Sequence, residues 1–169
     1  MNPVLDRWNK VDEKTATEEM LACCGSRRWA MEMVAQRPVS SVGALSETAD
    51  RIWATMNEAD WLEAFACHPR IGERQHASAS ELSSTWSLQE QSAASNASQK
   101  VLQDLVEDNR LYEERFGFTY IVCATGKSAD EMLQILKRRL LNGRVAELRE
   151  AAEQQRQIMQ IRLGKWLLS

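Results

Sequence analysis

The sequence predicts an all-α protein, a bundle of about seven or eight helices with one short extended segment near residues 116–122. Three observations carry this prediction. Ala, Leu, Glu, Gln, Arg and Met are plentiful, while the 169 residues include only seven Gly and three Pro; that is a helix-former's inventory. Apolar residues recur three or four positions apart in one segment after another. Several segments open on Ser or Thr followed three residues later by Glu, and close on Gly or Pro.

The elements follow in order. Thr15-Ala-Thr-Glu18 fits a capping box, and Met20, Leu21 and Cys24 then form an apolar face up to Gly25. Ser26 caps a second helix running through Trp29, Met33 and Val34 to Arg37-Pro38. A third carries Val42, Leu45, Ala49, Ile52, Trp53 and Met56. A short fourth starts near Asn57, holds Trp61, Leu62 and Phe65, and ends at Pro69. Proline pushes the residue before it, His68, out of helical geometry. The polar stretch 70–86 reads as the longest loop, with 73–86 as a lid over a site. Ser87-Leu-Gln-Glu90 fits another capping box and opens a long helical pattern through Val101, Leu102, Leu105, Val106 and Leu111 to Arg115. Phe116–Val122, aromatic and β-branched, is the extended segment. Ser128-Ala-Asp-Glu131 opens a helix with Met132, Leu133, Ile135, Leu136 and Leu140, closed by Asn142-Gly143. The last helix covers 144–167 on Leu148, Ala152, Ile158, Ile161 and Leu163. With no internal repeat and no low-complexity linker, residues 1–169 read as a single domain.

Composition excludes several function classes. At 44% hydrophobic and 27% charged residues the chain reads as an ordinary soluble protein. A net charge of −3 offers no electrostatic reason for a nucleic-acid partner. The basic run Lys137-Arg138-Arg139 reads as a solvated face near a helix C-terminus. No apolar run approaches the ~20 residues that cross a bilayer, so no membrane role is expected. MNPVLDRWNK resembles no targeting peptide, which makes the cytoplasm the default location. Cys23, Cys24, Cys67 and Cys123 contain no CxxC pair, and the two histidines lack zinc spacing, so no metal is expected. The cysteines read as small hydrophobes in a reducing compartment.

His68 is the leading candidate for chemistry. An imidazole suits proton transfer at neutral pH, and this one sits at a helix-to-loop junction. The bland alternative is a histidine that satisfies a helix end. Glu90 is the second candidate, against a plain capping role. Arg70, Arg144 and Arg162 are candidates for an anion, and spacing alone does not choose among them. Cys67 and His68 do not make a nucleophile–base pair, because adjacent side chains on extended backbone point apart.

Taken together, HPRIG at 68–72, SLQEQ at 87–91, FGFTYIV at 116–122 and the tail at 136–163 resemble the family of 2-oxo-4-hydroxy-4-carboxy-5-ureidoimidazoline (OHCU) decarboxylases. CCGSRRW at 23–29 and the Arg37-Pro38 pair look like its bacterial branch. The resemblance implies an all-α bundle, often homodimeric in the family, that converts OHCU to (S)-allantoin in urate breakdown without a cofactor. It puts the catalytic histidine on His68 and the catalytic glutamate on Glu90. Pro69, Ser87, Gln91, Phe116, Phe118, the backbone near Tyr120 and Ile121, and Arg162 fall on its substrate-binding positions. Arg70 stands where many members have Asp, and Thr119 where the segment often has Pro. Other readings of such a chain are a non-catalytic helical binding or regulatory module, and a lyase for a related ureido compound. Intact His68, Glu90 and Gln91 weigh against the module.

Overall fold

The structure, a computed structural model, describes residues 2–71, 81–90 and 97–169. The expected all-α class holds. Among the described residues there are nine helices and no strand: α1 (Pro3–Trp8), α2 (Glu13–Cys23), α3 (Arg27–Ala35), α4 (Val42–Trp53), α5 (Glu58–Ala66), α6 (Glu81–Glu90), α7 (Gln99–Phe116), α8 (Ala129–Arg139) and α9 (Arg144–Trp166). No described helix is long and apolar enough to cross a membrane.

The ends of these helices show where local signals were read correctly. Ser26 accepts the N–H of Trp29 as the cap of α3. Ser128 and Glu131 form the reciprocal capping box of α8. Two caps differ from expectation. The helix assigned to Thr15 starts at Glu13, because Asp12 takes the N–H of Thr15 at 2.9 Å and so caps three residues earlier. Ser87-x-x-Glu90 is not a capping box: both residues lie inside α6, and the following helix is capped by Ser98 instead. The loop expected over 70–86 is therefore helical from Glu81 onward, and residues 72–80, which include 73–80 of the expected lid, lie outside the described residues. Phe116 is the last residue of α7 rather than part of the extended segment, which begins after Gly117. Gly117 closes α7 at φ +81°, a left-handed conformation that costs a side-chain-bearing residue. The short α1, capped by Asn2 with Pro3 in its first turn, was not anticipated.

The chain divides into two compact units. The first comprises residues 1–64 and 156–169. Its core is built on indoles: Trp8, Trp29 and Trp166 are fully buried, and Trp8 meets Trp166 edge-on at 6.0 Å. Each indole N–H is satisfied, by Ala16 O, Ala49 O and the Glu19 carboxylate respectively. Here α3 packs against α2 and α4. Burial pushes the Cys23 thiol up, out of reach of thiolate chemistry, in keeping with its reading as a small hydrophobe.

The second unit comprises residues 65–155, where α7 packs on α8. An aromatic cluster of Phe65, Tyr112, Phe116, Phe118 and Tyr120 fills its centre, with ring separations of 4.7–6.2 Å. Beside it lies a buried ion pair. Arg139 Nε donates to Glu147 Oε1 at 2.6 Å, both side chains at 0% exposure. The Tyr112 hydroxyl donates to the same oxygen. This corrects the reading of 137–139 as a uniformly solvated basic face: Lys137 and Arg138 are exposed, while Arg139 turns inward. Burial works against the Arg139 charge, but the Glu147 carboxylate outweighs it and holds the guanidinium above its usual range.

Candidate functional site

The second unit gathers most of the residues expected at the site. Asn57 and Asp60 exchange side-chain-to-backbone hydrogen bonds that start α5. The helix runs to Ala66 and cannot pass Pro69. The His68 N–H bonds back to Phe65 O at 3.1 Å, a tight final turn. That turn leaves His68 8% exposed, with its ring Nε2 2.7 Å from Gln155 Oε1. Pro69 beside it is buried. The imidazole is thus a buried group held by a neutral amide from α9.

Arg70 turns outward and makes a two-pronged pair with Glu113, at 2.5 and 2.7 Å. Glu113 balances its charge, so Arg70 is not an isolated positive group awaiting an anion.

α6 has an inverted pattern. Ser83 and Ser87, one turn apart, are buried at 6% and 4% exposure, while Leu82 and Leu88 face out. Glu90, one further turn along from Ser87, is half-buried. A helix that buries two hydroxyls beside Trp86 and half-buries a carboxylate while exposing leucines is organised for more than an apolar core. Gln91, the remaining member of the motif, lies outside the described residues.

The extended segment is anchored at three points. The Tyr120 hydroxyl donates to Met132 O at 3.0 Å. Ile121 O accepts Arg139 Nη1 at 2.5 Å. The Cys123 N–H donates to Gln154 Oε1 at 2.8 Å. The Ile121 carbonyl, part of the backbone expected to face a substrate, therefore has a partner within the fold, and the Tyr120 side chain is anchored beside it. Phe116 is 2% exposed against Tyr112, and Phe118 lies 5.5 Å from Phe65, ring to ring. The Phe65–Phe118 contact sets the extended segment against the end of α5 that carries His68.

Arg162 belongs to the first unit, where it is 3% exposed and donates to Ala22 O at 3.4 Å. Among the inward polar residues that sequence reasoning missed are Ser83 and Gln155. Gln155 had a legible signal: it interrupts the apolar stripe Leu148, Ala151, Ala152, Ile158, Met159 on α9, all of which are buried.

Comparisons with known proteins agree with one another. The family model described as OHCU decarboxylase matches residues 9–164. A solved structure of an OHCU decarboxylase in the presence of (S)-allantoin is 39% identical, covers 90% of this chain and 99% of its own, and superposes with a TM-score of 0.76. The uric acid degradation bifunctional protein TTL of Arabidopsis thaliana is 39% identical over 88% of this chain. The 2-oxo-4-hydroxy-4-carboxy-5-ureidoimidazoline decarboxylase of Haloferax volcanii is 26% identical over 95% of this chain and 94% of its own. The chain spans less than half the length of the bifunctional relatives it matches, 46% of the Arabidopsis protein and 32% of the Bacillus subtilis protein PucL.

Proposed function

The chain belongs to the OHCU decarboxylase family, and from that premise we propose that it decarboxylates OHCU to (S)-allantoin, with His68 and Glu90 as the catalytic pair. The observation that carries this reading is the buried His68, hydrogen-bonded through Nε2 at the end of a proline-terminated helix. The inward hydroxyls and half-buried carboxylate of α6 add to it.

The chemistry needs little beyond such groups. In OHCU the carbon that bears the carboxylate adjoins a ring C=N bond. As the bond to the carboxylate breaks and CO2 leaves, its electron pair moves toward that imine, which does the work a cofactor does elsewhere. The ring nitrogen that receives those electrons takes up a proton, the neighbouring carbon takes a second, and the hydroxyl on the decarboxylating carbon gives one up as it becomes a carbonyl, so the reaction consumes one proton overall. The protein's tasks are to fix the ring, stabilise the developing charge and deliver the proton to one face. In this reading His68 and Glu90 hold the hydroxyl and carboxylate and relay those protons. Ser87 and Gln91 contact the substrate, and Pro69 and Phe118 shape its wall. Phe116 acts through packing. The backbone near Tyr120 and Ile121 meets the ureido amide. Arg162, proposed on the resemblance alone, binds a ring, ureido or carboxylate oxygen.

OHCU decays unaided to racemic allantoin, so the decisive measurement is chiral. OHCU generated in situ from urate, followed by circular dichroism, is expected to give faster decay and (S)-allantoin when the protein is added. An unchanged rate with racemic product would remove the decarboxylase reading. The reading includes a cofactor-independent homodimer, as the resemblance implies, and the cytoplasmic location expected from the sequence; sedimentation at the monomer mass would delete the dimer from it.

A further inference from the structure

We propose that Gln155 is the positioning residue for His68, its buried amide fixing the orientation and tautomer of the ring so that Nε2 carries the proton and Nδ1 is the basic nitrogen. The inference rests on the catalytic role proposed for His68 and deepens it.

Three observations carry it. First, Gln155 is at 0% exposure on α9, with buried Ala151, Ala152, Ile158 and Met159 one turn to either side of it. Packing alone would place an apolar side chain there. Second, its Oε1 lies 2.7 Å from His68 Nε2, across 87 residues of sequence. A carbonyl oxygen at that distance requires a donor, and in a neutral imidazole the nitrogen that donates decides which one remains to accept a proton. Third, the Nε2 of the Gln155 amide has no hydrogen-bond partner among the described residues. A buried, unpaired donor weakens a fold. A residue retained only for packing would not carry that cost; one retained to orient a histidine would.

The neighbouring residue adds rigidity. Gln154 Oε1 accepts the Cys123 N–H at 2.8 Å. One turn of α9 therefore ties both the extended segment and His68, and a regular helix holds a constellation more tightly than a loop does.

The test uses the chain's small histidine count. His76→Gln leaves His68 as the only imidazole, and its 15N NMR spectrum at a pH where the ring is neutral reports the tautomer directly. This parent is expected to show a protonated Nε2 and an unprotonated Nδ1. Gln155→Leu, which keeps the shape and removes the amide, is expected to move the nitrogen shifts away from the protonated-Nε2 pattern. It should also lower kcat for in situ OHCU by about tenfold or more, with KM within about twofold. Gln155→Glu restores an acceptor at the same place and is expected to restore the protonated-Nε2 pattern. A protonated Nδ1 in the parent overturns the proposal, as does Gln155→Leu with both spectrum and kcat unchanged. Should Gln155→Leu fail to fold, the parent and Gln155→Glu spectra still decide the matter. If the parent does not accelerate OHCU decay, the decarboxylase reading falls, while the spectra still report whether Gln155 holds the ring.

Discussion

His68→Ala is expected to remove about 10²–10⁴-fold of the acceleration of OHCU decay, the range that one positioned proton-transfer group supplies. The far-UV CD spectrum is expected to remain helical. His68 lies just beyond the last residue of α5, with its Nε2 bonded to Gln155 Oε1. Its loss leaves that buried amide with neither end paired, which costs about 1–3 kcal/mol. A domain of this kind has about 5–15 kcal/mol of stability to draw on, so the variant stays folded and the activity loss can be assigned to chemistry. Stereochemistry provides a second readout, since the residual product should approach the racemate of the uncatalysed reaction. A variant that retains its rate and still gives (S)-allantoin would take His68 out of the mechanism.

Arg139→Met is expected to lose about 3–5 kcal/mol of stability in urea unfolding, the largest structural effect in the second unit. Glu147 is at 0% exposure and its Oε1 accepts from Arg139. Without the guanidinium, that carboxylate keeps only the Tyr112 hydroxyl and the Asn142 amide. Taking one partner from a buried pair strands the other charge, whereas removing both does not. Arg139→Met with Glu147→Leu should therefore cost less than the single change. A single variant within about 1 kcal/mol of the parent would show that Glu147 is well solvated, contrary to its burial. The pair also reaches the site. Arg139 Nη1 holds Ile121 O, so its loss frees the segment proposed to meet the ureido group. A folded Arg139→Met protein is accordingly expected to show a raised KM.

The two variants probe what was and was not legible in the sequence. His68 was legible because its environment is written locally: a helix pattern, a proline that ends it, and a polar side chain at the break. The starts of α3 and α8 were legible for the same reason, since Ser26 and Ser128 act on backbone three residues away. Arg139 was not. Successive residues on a helix rotate by about 100°, so a run of three bases puts one of them inside when the helix is packed, and only the folded chain supplies Glu147 to meet it. α6 was misplaced because its leucines face outward and its serines inward, the reverse of the pattern that marks a helix against a core. The same inversion made Ser87-x-x-Glu90 look like a helix start when both residues lie inside one. Gln155 needed three dimensions for its partner, but its place in an apolar stripe was visible throughout.

The distribution of tryptophan has a practical consequence. Of the six indoles in the chain, Trp86 is the one that falls in residues 65–155. It is 5% exposed and immediately precedes Ser87 on α6. The difference between the intrinsic emission of the protein and that of a Trp86→Phe variant isolates the signal of the serine-bearing helix, so the proposed site carries its own optical probe and ligand titrations need no added dye.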